Sequence, residues 1–369
     1  MKIAILGTRG IPNHYGGFEQ FAEYLSKGLV QFGHSVYVYN PHNHVYQQKN
    51  WEGVHILHQF DPEYKLGTFG QFIYDFNCIA DSRKRDFDII LQLGYTSSSV
   101  WGWMLPKQAV IITNMDGLEW RRTKYSRMVQ KGLKHAEKWA VQTSDYLIAD
   151  SIGIQNYLKN NYNKDSFFIP YGAFLFHSPD FTTIASYYFQ PFSYDMLIAR
   201  LEPENSIEEI LQGVTDSKTE RPFLVIGNHA SAYGNYLKTK FTDKRIRFLG
   251  AIYNIVTLNN LRYYSNLYFH GHTVGGTNPS LLEAMASSAL ICANDNEFNR
   301  SILGEDAYYF TDSTSAKQIL EAVIKSGAKE NSKINQNIRK IEQYYSWDKI
   351  IKDYEKFMEQ CLQQKVVVS

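Results

Sequence analysis

The stretch His270 to Glu283, HGHTVGGTNPSLLE, runs on into AMASSALICAND and decides how the second half of the chain is read. A short apolar run at 267–270 has the look of a strand, and it feeds a Gly-rich loop. Pro279 then opens an apolar helix, and a second buried strand is expected at 289–293. Proline suits the first helical turn, where its missing N–H would have had no partner. The N–H groups and positive dipole end of that helix are expected to form an anion site, with Gly275 and Gly276 letting a phosphate approach the backbone. Glu283 lies one turn further on, placed to accept hydrogen bonds from sugar hydroxyls. Phosphate below and hydroxyls above describe a nucleotide-sugar site. Strand–Gly loop–helix units also occur as plain packing elements, and that reading stands beside the first.

Outward from this stretch the same alternation continues. Strands are expected at 196–199, 223–226, 247–250, 267–270, 289–293 and 307–310, with helical patterns at 207–214 and 278–287 between them. An equivalent series precedes it: strands at 2–6, 36–39, 89–93, 109–113, 146–149 and 166–170. Phe18, Phe21, Ala22, Leu25 and Leu29 recur at helical spacing after the first strand. The stretch 173–191 has no clear period and reads as a linker, and the tail 315–363 is mostly helical, its last segment starting at Trp347. At 369 residues, two domains are the natural expectation. Two doubly wound α/β units put the functional cleft between them, at the carboxyl ends of their strands.

Composition narrows the class. A net charge of +1 argues against general nucleic-acid binding. Cys78, Cys292 and Cys361 show no pairing or zinc spacing, as expected of a reduced cytosolic protein. No signal segment or membrane span is legible. The 27 Tyr and 22 Phe read mostly as half-buried packing, with sugar stacking or membrane-interface contact as the sharper alternative.

Several residues sit where a doubly wound fold would expose them. Gly7-Thr-Arg-Gly10 and the following Tyr15-Gly16-Gly17-Phe18 join the first strand to the first helix. They do not form a GxGxxG pattern, so they read either as a plain turn or as a cleft-lining loop. Arg200 ends the first strand of the second series, placed to pair bidentately with phosphate oxygens, or else with its neighbours Glu202 and Glu204. Asp116, in MDGLEWRR, follows the strand at 109–113 and could orient an acceptor hydroxyl or cap the coming helix. Lys124, Arg127, Lys131, Lys134 and Lys138 step by three and four, opposite Val129, Leu133, Ala136 and Ala140. That basic stripe is either a solvated face or a surface for anionic lipid or a pyrophosphate-bearing acceptor. Asp86 and Asp88 precede a strand rather than follow it, and His42/His44 and His270/His272 lack further ligands, so no metal is expected. His272 is expected to donate to a sugar or phosphate. Neither a Ser or Cys nucleophile motif nor a P-loop is present.

Taken together, KIAILGTRGIPNHYGGFE, MDGLEWRR, ARLEPEN and HGHTVGGTNPSLLEAMA resemble the GT-B glycosyltransferases of glycosyltransferase family 4, and especially their bacterial rhamnosyltransferase-like branch. The resemblance spans nearly the whole chain. It implies two Rossmann-like domains facing each other across a cleft. The acceptor domain would be 1–172, with a C-terminal helix at about 347–369 packing back on it, and the nucleotide-sugar domain 190–346. Carried over by position, Glu283 matches the second acid of the E-x7-E motif, expected on the nucleotide ribose, while the first acid falls at Gly275. Arg200 matches the phosphate-binding arginine, but the lysine usual five residues later is Asn205. Gly227-Asn228 and Phe248-Leu-Gly250 match segments lining the nucleotide, and Gly276, Thr277 and Asn278 take over the donor contacts that Gly275 cannot make.

The resulting expectation is a retaining, metal-free glycosyltransferase using dTDP-L-rhamnose, with no cofactor beyond its nucleotide-sugar co-substrate. Arg200 and Asp116 are the expected catalytic residues, and Tyr15, Gly16, Gly17 and Arg121 the acceptor-binding ones. The acceptor would be a lipid-linked saccharide in surface polysaccharide (capsule or O-antigen) synthesis, met by a cytoplasmic protein peripheral on the inner face of the plasma membrane. A sugar-nucleotide epimerase of the same fold and a non-catalytic nucleotide-sugar-binding subunit are the rivals.

Overall fold

Apolar runs separated by amphipathic segments force parallel sheets, because each sheet is then covered by helices on both faces. The computed structural model describes residues 1–14, 16–122, 125–274 and 276–368, with side chains as far as Lys365. The chain divides into two units, one formed by Met1–Arg121, Tyr125–Tyr171 and Trp347–Ser369, the other by Arg122–Lys124 and Gly172–Ser346.

The first unit holds β1 (Lys2–Leu6), β2 (Ser35–Pro41), β3 (Asn50–Trp51), β4 (Val54–Gln59), β5 (Ile89–Leu93), β6 (Val110–Asn114), β7 (Tyr146–Ala149) and β8 (Phe167–Phe168). They lie in the order β3-β4-β2-β1-β5-β6-β7-β8. All pairs are parallel except β3 with β4. Ile3, Ile5, Ile89 and Leu91 on one face and Ala4, Leu6, Ile90 and Ile111 on the other are buried, as a sheet covered on both faces requires. β3 and β4 are additions to the sequence reading. His55, His58 and Gln59 interrupt the apolar run of β4, which therefore does not read as a covered strand.

The final helix, Trp347–Val368, packs on the helix Gly17–Gln31 of the same unit. Phe21 stands 5.8 Å from Trp347 and 5.2 Å from Tyr354, ring centre to ring centre. Gly28 permits this approach: a Cβ there would lie 2.5 Å from Ile351 Cδ1. The Tyr354 hydroxyl accepts from Asn114 Nδ2 at 3.0 Å, tying the helix to the end of β6. Tyr74 and Tyr194 likewise donate to buried carbonyls, which is what a tyrosine used as packing must do.

The second unit holds β9 (Asp195–Ile198), β10 (Phe223–Ile226), β11 (Ile246–Gly250), β12 (Tyr268–His270), β13 (Ile291–Asn294) and β14 (Tyr308–Phe310), all parallel, in the order β11-β10-β9-β12-β13-β14. The chain reverses its direction of sheet growth between β9 and β12. In doubly wound sheets ligands bind outside the carboxyl ends of the strands at that switch point. The loops in question are those following Ile198 and His270. The expected linker at 173–191 contains a short helix, Phe181–Ala185, and Ala173 bridges to Ser346. Among the described residues no helix is long and apolar enough to cross a membrane.

Candidate functional site

In the second unit the loop after β9 and the loop after β12 are fastened side by side. Gly271 makes this possible, since a Cβ there would fall 2.0 Å from the Asn205 carbonyl oxygen. Thr273 donates to the Glu204 carbonyl twice, from its backbone N at 3.1 Å and its Oγ1 at 2.8 Å. Asn205 donates from Nδ2 to the Arg200 carbonyl at 2.7 Å, while its Oδ1 lies 2.6 Å from His272 Nδ1. A third loop, after β13, joins them: Asn296 and Asn299 both donate to the His272 carbonyl, at 2.9 and 3.1 Å. Ser206 closes the first loop with φ of 46°, a left-handed conformation rarely held by a serine without structural reason.

Arg200 stands at the mouth of this arrangement with its side chain 62% exposed and its Nε 3.9 Å from Glu202, too far for a hydrogen bond. Arg122, which groups with the second unit, holds its guanidinium 3.9 Å from Glu202 and 4.0 Å from Glu204. Glu204 is buried, and neither carboxylate oxygen is hydrogen-bonded among the described residues. Burial, reinforced by Arg122 and Arg200, pushes the His272 imidazole down to about 4. Burial alone accounts for most of the fall of His270 to about 3.

Glu283 sits on the helix Pro279–Ala286 directly above a fully buried arginine. Arg262 Nη2 donates to its Oε2 at 2.6 Å and to Ser280 Oγ at 3.2 Å, while Nη1 donates to Asn259 Oδ1 at 2.9 Å. A carboxylate clamped in this way has a set direction, which is what hydroxyl recognition needs. The sequence reading missed Arg262, because nothing in the mixed polar and apolar run IVTLNNLRYY distinguishes a buried arginine from an exposed one.

One expectation is corrected here. The first N–H groups of the helix Pro279–Ala286 are already used: Pro279 has none, Ser280 N donates to Asn278 Oδ1 at 2.9 Å, and Leu281 N to the Asn278 carbonyl at 3.0 Å. Asn278 is thus the helix cap. What the helix offers an anion is its dipole; Gly276 and the buried Thr277 lie in the loop that leads into it. Asn228 forms a turn, its Oδ1 accepting from Ala230 N at 3.0 Å. Gly250 ends β11 with φ of 79° and accepts from Gly227 N at 2.9 Å. Gly275 lies outside the described residues.

The first unit has its own switch point, between β1 and β5. Arg9 pairs bidentately with Glu63, at 2.8 and 3.0 Å, and Gln71 donates to the same carboxylate at 2.9 Å. Asp75 is buried and accepts from Ser97 Oγ at 2.6 Å, and burial pushes its carboxyl up to about 7. Asp61, Glu63, Asp75 and Ser97 were not foreseen: without β4, no strand end could be assigned to the acids that follow it. Gly16 is the N-cap of the helix that Gly17 begins, and Tyr15 lies outside the described residues. Asp116 follows β6 in the left-handed region, φ 49°, its N–H given to Asn114 Oδ1. A short 3-10 helix, Glu119–Arg121, follows it, and the longer helix Arg127–Thr143 is capped by Ser126. Arg121 is exposed and stacks over Trp120, 5.2 Å from the ring centre.

The expected basic stripe is split. Arg127, Lys131 and Lys138 are exposed on the helix Arg127–Thr143, and Lys124 lies outside the described residues. Lys134 instead turns inward, donating to the buried Glu137 at 2.8 Å and lying 4.7 to 5.0 Å from the ring centres of Trp120, Tyr157 and Tyr162. Asp88 accepts from Lys2 N at 2.6 Å at the amino end of the sheet, a structural role. Among the described residues no three His, Cys, Asp or Glu side chains are grouped to hold a metal ion.

A family described as a domain of unknown function (DUF1972) matches residues 105–174, which include β6, the MDGLEWRR segment and β7. No curated protein matches the sequence. Among solved structures, sucrose-phosphate synthase from Thermosynechococcus elongatus is similar over 100% of both chains, with a TM-score of 0.79 at 16% identity. HepE from Anabaena, solved with UDP and glucose, is similar over 98% of this chain and 100% of its own, with a TM-score of 0.76 at 14% identity. The trehalose-6-phosphate synthase from Burkholderia multivorans covers 100% of this chain and 98% of its own, with a TM-score of 0.70 at 11% identity. The architecture common to all of them, and to this chain, is the GT-B fold of two Rossmann-like domains.

Proposed function

We propose that the chain is a glycosyltransferase in which the second unit binds a nucleoside diphosphate sugar and the first unit binds the acceptor. The observation that carries this reading is the switch-point site of the second unit, where an exposed guanidinium, Arg200, accompanies a carboxylate, Glu283, clamped from beneath by Arg262. The GT-B fold supports it, and HepE, of the same fold, was solved with UDP-glucose. Arg200 pairs with the diphosphate oxygens and, with the helix dipole behind Pro279, stabilises the departing diphosphate without a metal ion. Glu283 accepts from the pentose. Asp116 orients the acceptor hydroxyl. The donor is dTDP-L-rhamnose, transferred with retention to a lipid-linked saccharide in bacterial surface polysaccharide synthesis. The protein works in the cytoplasm, on the inner face of the plasma membrane. For that last step the exposed face of Arg127–Thr143 supports the reading: Arg127, Lys131 and Lys138 flank Met128 and Trp139, and the helix's one acid, Glu137, is buried.

A thermal-shift series over nucleotide sugars tests the reading, because a ligand specific to the folded state stabilises it by about 2.7 kcal/mol at a hundredfold excess over Kd. A rise in Tm with dTDP-rhamnose, lost in Arg200→Ala and Glu283→Ala, is the expected result. A rise with UDP-glucose alone overturns the rhamnose assignment, and no rise with any nucleotide sugar overturns the donor site. Isomerised donor formed without an acceptor would turn the reading to an epimerase.

A further inference from the structure

We propose that His272 recognises a hydroxyl of the transferred sugar as a hydrogen-bond acceptor, and that Asn205 is the positioning residue that makes it one. The proposal rests on the nucleotide-sugar reading of the second unit and adds a specificity contact within it.

Asn205 Nδ2 points at the Arg200 carbonyl, 2.7 Å away, and a carbonyl can only accept. Flipping the amide would set two oxygens against each other, so the orientation is determined by the network. The opposite end of the amide, Oδ1, therefore faces His272 Nδ1 at 2.6 Å, and it too can only accept. Nδ1 must carry the hydrogen. A neutral imidazole has one N–H, so Nε2 is left with its lone pair. The ring is held neutral by its burial and by the guanidiniums of Arg122 and Arg200 nearby. A phosphate oxygen has no hydrogen to offer Nε2, whereas a sugar hydroxyl does.

The ring is also fixed in space. Asn296 and Asn299 anchor the His272 carbonyl, Thr273 is tied to Glu204, and Gly271 leaves no room for the two loops to slide. Position 205, where the resembling family carries a lysine, thus holds a side chain that contributes no charge to a diphosphate but sets a tautomer. The expected donation by His272 is replaced by acceptance.

Two measurements on the full chain test this. Nitrogen-15 NMR of histidine-labelled protein between pH 6 and 8 should show His272 neutral with its proton on Nδ1, and Asn205→Leu should mix the tautomers. A proton on Nε2 would overturn the assignment. Calorimetry with UDP, UDP-glucose, dTDP and dTDP-rhamnose supplies the second test. His272→Ala should weaken the preferred nucleotide sugar about ten- to hundredfold, the cost of one unmade hydrogen bond in a desolvated site, and leave its bare diphosphate within about twofold. His272→Gln, which keeps an acceptor within reach, should recover part of the loss. Equal weakening of diphosphate and nucleotide sugar would make His272 a phosphate contact and sink the proposal. If the wild type binds none of the four, the donor reading has failed and the sugar contact falls with it, while the NMR result still reports whether the tautomer lock is real.

Discussion

Lys134 and Arg200 are both basic residues that spacing alone singles out, yet they end in opposite surroundings. Lys134 is enclosed by Trp120, Tyr157 and Tyr162 and hydrogen-bonded to a buried carboxylate. Glu137 in turn receives Tyr157 at 2.7 Å, Tyr162 at 2.5 Å and Trp120 Nε1 at 3.0 Å, so both carboxylate oxygens are engaged. Arg200 meets Glu202 only at 3.9 Å and projects into solvent. A saturated charge holds the fold; a charge kept close to others but short of hydrogen bonding remains available to a ligand. The first costs stability when removed, the second costs function.

Removing the centre of the saturated cluster has the largest expected effect. Glu137→Ala leaves a half-buried ammonium and four aromatic donors (Tyr95, Trp120, Tyr157 and Tyr162) without their acceptor, and losing several hydrogen bonds to one buried charge costs about 3–5 kcal/mol. Urea unfolding should record that loss, while ligand-induced shifts in the folded fraction persist. Arg200→Ala should do the reverse: a fall of about 10²–10³ in transfer rate, the size seen when one charge-stabilising donor is removed, with the urea midpoint unchanged. If Arg200→Ala destabilises the fold, or Glu137→Ala abolishes ligand response without changing stability, the contrast collapses.

The two switch-point sites also differ in how much of them the sequence discloses. Strand runs such as Lys2–Leu6, Ile89–Leu93 and Phe223–Ile226 are legible because burial on both faces leaves them apolar but for Lys2 and Gln92. β4 is not, since it lies next to the edge, flanked outward only by the two-residue β3, and carries His55, His58 and Gln59; with β4 went the Arg9–Glu63 pair and Asp61. In the second unit the loop positions of Arg200, His272 and Glu283 were legible from the strands and Pro279. Their partners were not. Asn205, Asn296, Asn299 and Arg262 act through contacts between segments far apart in the chain, and no local spacing encodes such a contact. The stripe failed at Lys134 for the same reason: helical period assigns an angle, while the pull of Glu137 and three aromatic rings decides where a long flexible side chain goes.

The second unit's buried histidines give a pH signature. His270 and His272 titrate in the folded state at about 3 and about 4, below the ordinary value of 6.5. The unfolded chain binds protons that the folded one does not, so their contribution is present above about pH 6.5 and is lost as pH falls toward 4. Between pH 7 and 5 each should remove roughly 1–2 kcal/mol of stability. Asp75, with its carboxyl raised to about 7, works in the opposite sense in the first unit, where acid relieves the cost of a buried charge. Urea unfolding at the two pH values, followed by tryptophan fluorescence in the first unit, which holds all six tryptophans, and by hydrogen exchange in the second, should show the second unit losing more. Equal losses would mean that burial and the nearby guanidiniums do not keep the His272 ring neutral.

The smallest effect separates Lys131 from Lys134 on one helix. A basic residue near an anionic bilayer contributes about 1 kcal/mol to binding, and only if its charge reaches the surface. Lys131 is exposed, whereas the charge of Lys134 is already neutralised by Glu137 and screened by aromatic rings. Lys131→Gln should therefore lower co-sedimentation with phosphatidylserine vesicles about fivefold, a difference that fades as salt rises. Lys134→Gln should leave vesicle binding of the folded protein unchanged while lowering its Tm, because what it removes is an internal ion pair. Equal losses from the two substitutions would mean that the whole stripe faces the membrane and that the Lys134–Glu137 pair opens to let it. Loss from neither would assign the exposed face of Arg127–Thr143 to solvent, and the lipid-linked acceptor would then need a different surface to dock on.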